Sequence, residues 1–127
     1  MAIPRRPTVL VVEDEFIIAL DLSETVEDLG YTLEGPFPDQ CGAFRAIAAD
    51  MPDAAILDVH TRDGEVFPLA DVLTQAGVPI IFHSGHVTSQ DLAERYPGAR
   101  TCAKPCPPDK LIVALQEAVE RHIELCA

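Results

Sequence analysis

The sequence predicts an α/β fold: a parallel sheet with helices packed on both faces. Three observations carry this reading. Short apolar runs rich in β-branched residues alternate with amphipathic stretches, the alternation occurs five times, and Gly or Pro punctuates the joins. At 127 residues the chain fits one domain, 1–127, built on one core over about 8–125.

The elements follow in order. Thr8 to Val12, TVLVV, is continuous and β-branched, the pattern of a strand buried on both faces. From Glu15 to Leu29 the pattern turns helical, with Ile18, Leu22, Val26 and Leu29 on one stripe and Gly30 where a helix C′ residue belongs. Tyr31 to Gly35 alternates weakly, as an edge strand does, and Pro36 and Pro38 are expected to close it. Asp39 is placed to cap a helix running to about Asp50. Ala54 to Asp58 reads as the third strand, and about Glu65 to Ala76 as the third helix, stopped by Gly77. Val78 to Phe82 reads as the fourth strand. Thr88 with Asp91 resembles a capping box opening a short helix that Pro97 and Gly98 halt. Arg100 to Ala103 is the fifth strand. Pro107 and Pro108 suit the first turn of a last helix, expected to bury Leu111, Leu115, Val119 and Ile123. The fourth helix has few apolar anchors (Leu92, Ala93, Tyr96), which predicts the least stable element.

Charge narrows the function. Acidic residues number 21 against 9 basic, a net charge of −12. Such a balance argues against binding nucleic acid, which needs Lys and Arg on phosphates, and against an anionic membrane surface. The expected partner is a protein or a cation. No apolar run reaches the length of a membrane span, and MAIPRRPT has two arginines with no apolar segment behind them, so no signal peptide is read. A cytoplasmic location is the expectation. Cys41, Cys102, Cys106 and Cys126 form no C-x-x-C, which favours plain reduced thiols. His60, His83, His86 and His122 form no ligand pair at helical spacing.

Open α/β sheets bind ligands outside the carboxyl ends of their strands, near the point where strand order reverses. At those ends the sequence places Glu13 and Asp14, then Pro36, Asp58, the run His83–Ser84–Gly85–His86, and Lys104–Pro105. Three carboxylates, a hydroxyl and an ammonium thus converge on one rim. Carboxylates held together repel, so a cation belongs among them. Oxygen donors of this kind suit Mg²⁺, which keeps several waters for a phosphate. Lys104 offers a point charge to a phosphoryl oxygen and Ser84 a hydroxyl, leaving one carboxylate free as a nucleophile on phosphorus. Plainer readings exist for each part. Glu13 to Glu15 complement a helix N-terminus, worth roughly 0.3–1 kcal/mol, Ser84–Gly85 is ordinary turn chemistry, and Lys104 alone is a solvated lysine. Polar groups at four of five strand ends outweigh these.

The motifs VVEDE, ILDV, FHSG and AKP, in this order and at these strand ends, resemble the response-regulator receiver domains of two-component signalling. The resemblance implies a flavodoxin-like (βα)5 three-layer sandwich with sheet order 2-1-3-4-5. It implies that Asp58 is the phosphoacceptor, phosphorylated by a histidine kinase with Mg²⁺ or Mn²⁺. Asp14 would hold the ion directly and Glu13 through water, with Asp58 and the His60 backbone carbonyl completing the protein ligands. Ser84 and Lys104 would bind the phosphoryl group, and the Lys104–Pro105 peptide would be cis. Such domains are not enzymes, apart from metal-assisted autophosphorylation and autodephosphorylation. Phe82 to His86 is similar to the Phe-Ala-Thr-Gly-Tyr stretch of an alphaproteobacterial single-domain subgroup that pairs with kinases of the HWE or HisKA2 kind, although His83 and His86 depart from it. A downstream protein would read the face of the fourth helix, fifth strand and fifth helix. Thr101 stands where such domains commonly carry an aromatic switch residue, and His86 is the candidate substitute.

Rival readings share parts of this site. A receiver-like interaction module is never phosphorylated. A haloacid-dehalogenase-type hydrolase needs a second Asp two residues after Asp58, where His60 stands, and more chain for a cap. A flavin or nucleotide carrier needs a Gly-rich phosphate loop that the sequence lacks.

Overall fold

Thr8–Val12 forms β1, an interior strand of the sheet, and Val9 to Val12 are wholly buried. Each such valine or leucine contributes about 1.5–3 kcal/mol by leaving water. A computed structural model of the chain describes residues 6–85 and 89–126. Around β1 run α1 (Phe16–Asp28), β2 (Thr32–Phe37), α2 (Gln40–Ala49), β3 (Ala54–Leu57) and a short pair, β4 (His60–Thr61) and β5 (Gly64–Glu65). Then come α3 (Phe67–Gln75), β6 (Ile80–Ser84), α4 (Ser89–Arg95), β7 (Arg100–Ala103) and α5 (Pro108–Cys126).

The main sheet is parallel throughout, in the order β2-β1-β3-β6-β7. Setting the short β4–β5 hairpin aside, this is the expected 2-1-3-4-5 order. Strand alternation divides the core in two. Val9, Val11, Ile56 and Ile81 pack with Leu22, Val26, Leu111 and Leu115 of α1 and α5. Leu10, Val12, Leu57 and Phe82 pack on the other side with Ile47, Leu69 and Leu73 of α2 and α3 and with Leu92 and Tyr96 at α4. Asp39 caps α2 as expected, its Oδ1 accepting from Gly42 N at 3.0 Å. Gly30 takes a φ of +83° after α1, the left-handed C′ conformation its position predicts.

Four details differ from the expectations. The second strand does not close at Pro36 but continues to Phe37 across a cis Gly35–Pro36 peptide, shifting register between Leu10 and Val12. An edge strand tolerates the missing N–H, and Gly35 (φ +105°) fits because a Cβ there would stand 2.7 Å from Val11 O. The third helix starts at Phe67 rather than Glu65, because Glu65 pairs with His60 in the hairpin. The fourth strand starts later, at Ile80, and runs on through His83 and Ser84, which pair with Cys102 and Ala103 of β7. Ile123 is 47% exposed, since α5 turns Ala114, Leu115, Ala118 and Val119 inward instead. The roles expected of His86 and Thr88 fall outside the described residues. The Lys104–Pro105 peptide is cis, as the resemblance implied.

Candidate functional site

The carboxyl ends of β1, β3, β6 and β7 bring the expected groups to one rim. Asp58 follows β3 directly and is buried, its backbone N–H donating to Val12 O at 2.9 Å. Glu13 follows β1, also buried, with its N–H on Phe37 O at 2.9 Å. Asp14, one residue on, is exposed. One oxygen from each of these three carboxylates lies within 4.8 Å of the others, and no other group of three or more His, Cys, Asp and Glu side chains among the described residues comes so close.

Lys104, after β7, reaches into this group. Its Nζ lies 3.0 Å from Glu13 Oε1 and 3.2 Å from Asp58 Oδ2, with 15% of the side chain exposed. A small cleft of about 240 Å³ opens over them, lined by Asp14, Glu15, Asp58, His60, Gly85 and Lys104. His60 N donates to Asp58 Oδ1 at 3.2 Å, and its exposed side chain stands at the mouth. Ser84 ends β6, buried, and its carbonyl accepts from Lys104 N at 3.0 Å. It shares a strand face with Phe82 and lies outside the cleft lining. Asp14, Asp58, His60 and Lys104 thus line one opening, with buried Glu13 in contact with Lys104, while Ser84 lies outside the lining.

The electrostatics follow from crowding. Burial and the facing Glu13 carboxylate push Asp58 up to about 6, against the opposing pull of Lys104. Burial also works against charge on Glu13, but His83, Asp58, Lys104 and the Glu15 N–H more than offset it and hold its pKa at about 2. The two acids therefore divide roles, as like charges at contact distance must. For Lys104, burial acts to lower the pKa, yet the Glu13 and Asp58 carboxylates outweigh it and raise the value.

Glu13 Oε1 is buried and has no hydrogen-bond partner; Lys104 meets it as a charge contact. A buried carboxylate oxygen without a hydrogen bond, beside two more carboxylates, suits a site that a cation would complete. An all-oxygen donor set of this charge fits a hard divalent cation such as Mg²⁺ or Mn²⁺.

Two features escaped the sequence reading. The β4–β5 hairpin after Asp58 is tied to α2: Asp63 accepts from Gln40 N (2.9 Å), Cys41 N (3.2 Å) and Thr61 Oγ1 (2.9 Å). His83 is buried on β6, its Nδ1 3.8 Å from Glu13 Oε1. Its signal was present, a polar ring next to the apolar run Ile80–Phe82. No helix among the described residues is long and apolar enough to cross a membrane.

No family model matches the chain. It is similar to the transcriptional regulatory protein PdtaR of Mycobacterium tuberculosis (34% identity over 99% of this chain and 62% of that protein). It is also similar to the phyllosphere-induced regulator PhyR of Methylorubrum extorquens (29% identity over 87% of this chain and 43% of that protein). The chain therefore spans less than two thirds of either relative. Among solved structures, the signal receiver domain of a modulated diguanylate cyclase from Desulfovibrio desulfuricans superposes with a TM-score of 0.77 at 28% identity, covering 93% of this chain and 97% of that one.

Proposed function

We propose, from the premise that this chain is a response-regulator receiver domain, that Asp58 accepts a phosphoryl group from the phosphohistidine of a histidine kinase. The observation that carries the reading is the pairing of buried Asp58 Oδ2 with Lys104 Nζ at 3.2 Å, inside a cluster whose Glu13, Asp14 and Asp58 oxygens lie within 4.8 Å.

An Asp58 oxygen attacks phosphorus in line with the leaving imidazole. The P–O bond forms as the P–N bond breaks, and the imidazole takes up a proton as it departs. A bound Mg²⁺ or Mn²⁺ would neutralise charge spread over the phosphoryl oxygens. Asp14, Asp58 and the His60 carbonyl would hold it directly and Glu13 through water. Lys104 pairs with one phosphoryl oxygen and Ser84 donates to another, so the chain's part is placement and charge. The domain itself does little else in the transfer.

The phosphoryl group carries about −1.5 to −2 charge at neutral pH and replaces the single charge of the Asp58 carboxylate. It draws Lys104 and Ser84 inward and, through β6 and β7, alters the face of α4, β7 and α5 that a downstream protein reads. The protein acts in this reading as a stand-alone cytoplasmic switch through protein contacts. Its donor is a kinase of the HWE or HisKA2 kind, a pairing supported by the resemblance of Phe82–His86 to the subgroup motif.

Intact-mass measurement after exposure to acetyl phosphate tests the reading. Wild type with Mg²⁺ should gain one phosphoryl group; Asp58→Ala, or wild type with chelator, should gain none. Equal gain by Asp58→Ala would remove Asp58 from the role. No gain, together with no response to beryllofluoride, would favour an unphosphorylated interaction module.

A further inference from the structure

We propose that His83 is a positioning residue that takes over Glu13 when Lys104 turns from it to a phosphoryl group. The inference rests on the phosphoacceptor reading and adds a role that the reading leaves empty. Lys104 Nζ has two carboxylates in reach, Glu13 Oε1 at 3.0 Å and Asp58 Oδ2 at 3.2 Å. Once Asp58 is esterified, the amine is claimed by phosphoryl oxygens, and the Glu13 side chain, 0% exposed, loses its direct ammonium contact and keeps only the water-mediated one to the cation of the proposed site. A buried carboxylate that loses a direct charged partner is disfavoured unless another group replaces it.

One unspent polar group faces it. His83 Nδ1 has no hydrogen-bond partner and lies 3.8 Å from the same Oε1, which likewise has none. That separation exceeds hydrogen-bond length by less than 1 Å, within a small shift of either side chain. The other carboxylate oxygen, Oε2, already accepts from Glu15 N at 3.2 Å, so the carboxylate is anchored on one side and waiting on the other. In its neutral Nδ1–H tautomer the ring donates one hydrogen bond to Oε1. At rest Lys104 meets Oε1 at 3.0 Å and His83 stands further off at 3.8 Å, so His83 supports Glu13 in both states and carries more of that role once Lys104 has moved.

The test separates those states with beryllofluoride, a phosphoryl mimic, titrated into the intact chain with Mg²⁺ and followed by NMR. His83→Leu fills the space without a donor and His83→Asn keeps a donor near Nδ1; His83→Ala replaces the Leu variant if that one does not fold. His83→Leu should weaken beryllofluoride binding on the order of tenfold, the size of one hydrogen bond to a charged group. His83→Asn should restore most of it, and Mg²⁺ binding without beryllofluoride should change by less than beryllofluoride binding does. Combined with Glu13→Gln, which removes the buried charge, the His83→Leu loss should largely vanish. Unchanged beryllofluoride affinity in His83→Leu, or an equal loss with and without Glu13→Gln, overturns the inference while the phosphoacceptor reading stands. Wild type that binds no beryllofluoride overturns both.

Discussion

Tyr96 Oη donates a 2.6 Å hydrogen bond to Asp71 Oδ1, joining the residue after α4 to the exposed face of α3. The ring is 4% exposed and packs at 5.1 Å from Phe82 and 6.0 Å from Phe67, and the Arg95 guanidinium lies 4.2 Å over the Phe67 ring. The helix with few apolar anchors is therefore pinned by one aromatic side chain, directly beneath the strand that ends in Ser84.

Tyr96→Phe should lose about 1 kcal/mol of stability, the size of one half-buried hydrogen bond, with the largest fall in hydrogen-exchange protection in α4. Burial and the Asp71 carboxylate raise the Tyr96 pKa from its ordinary 10.0 to about 12, against a smaller opposing pull from Arg95. The folded state thus keeps this proton longer than the unfolded chain. The corresponding stability is full below the unfolded value and is lost as pH rises through the folded one. Between pH 10 and 12 wild type should lose stability faster than Tyr96→Phe; parallel curves would show that the hydroxyl is not coupled to folding.

Asp58→Asn should stabilise the metal-free protein at neutral pH by on the order of 1–3 kcal/mol. The cause is removal of a buried negative charge facing Glu13, the source of the raised Asp58 pKa. Chemical denaturation in chelator measures it. A destabilised Asp58→Asn would mean that Lys104 compensates the crowding fully.

Mg²⁺ should raise the melting temperature of wild type in proportion to RT ln(1 + [Mg²⁺]/Kd), about 2.7 kcal/mol at a hundredfold excess over Kd. Asp14→Asn and Asp58→Asn should each flatten that response. If Asp14→Asn responds like wild type, the exposed carboxylate at the end of β1 is not a ligand.

Asp63→Ala should lower stability, because it strips hydrogen bonds from two N–H groups in the first turn of α2 and from Thr61. Since the hairpin also positions His60 beside Asp58, Mg²⁺ affinity should fall as well. A loss of stability with unchanged affinity would confine Asp63 to the fold.

Much of the fold was legible because it is written in local periodicity. Short apolar runs, helical stripes and Gly, Pro and capping signals placed all five main strands and all five helices, and the order of polar residues at the strand ends placed Glu13, Asp14, Asp58 and Lys104. The errors cluster where a neighbour decides. Pro36 reads as a strand breaker until the partner strand leaves its missing N–H unneeded. Ile123 reads as core until α5 offers its alanines to the sheet instead.

What the sequence settled by itself was the α/β architecture, the strand boundaries to within a few residues and the identity of the acids and amine at the rim, since backbone preference and apolar spacing act over one turn or one strand. The tertiary structure alone decided the placements: Ser84 outside the cleft lining, Asp63 fastening the hairpin, and an imidazole 3.8 Å from Glu13. Those depend on residues far apart in the chain meeting across the sheet, where burial turns separate side chains into coupled charges.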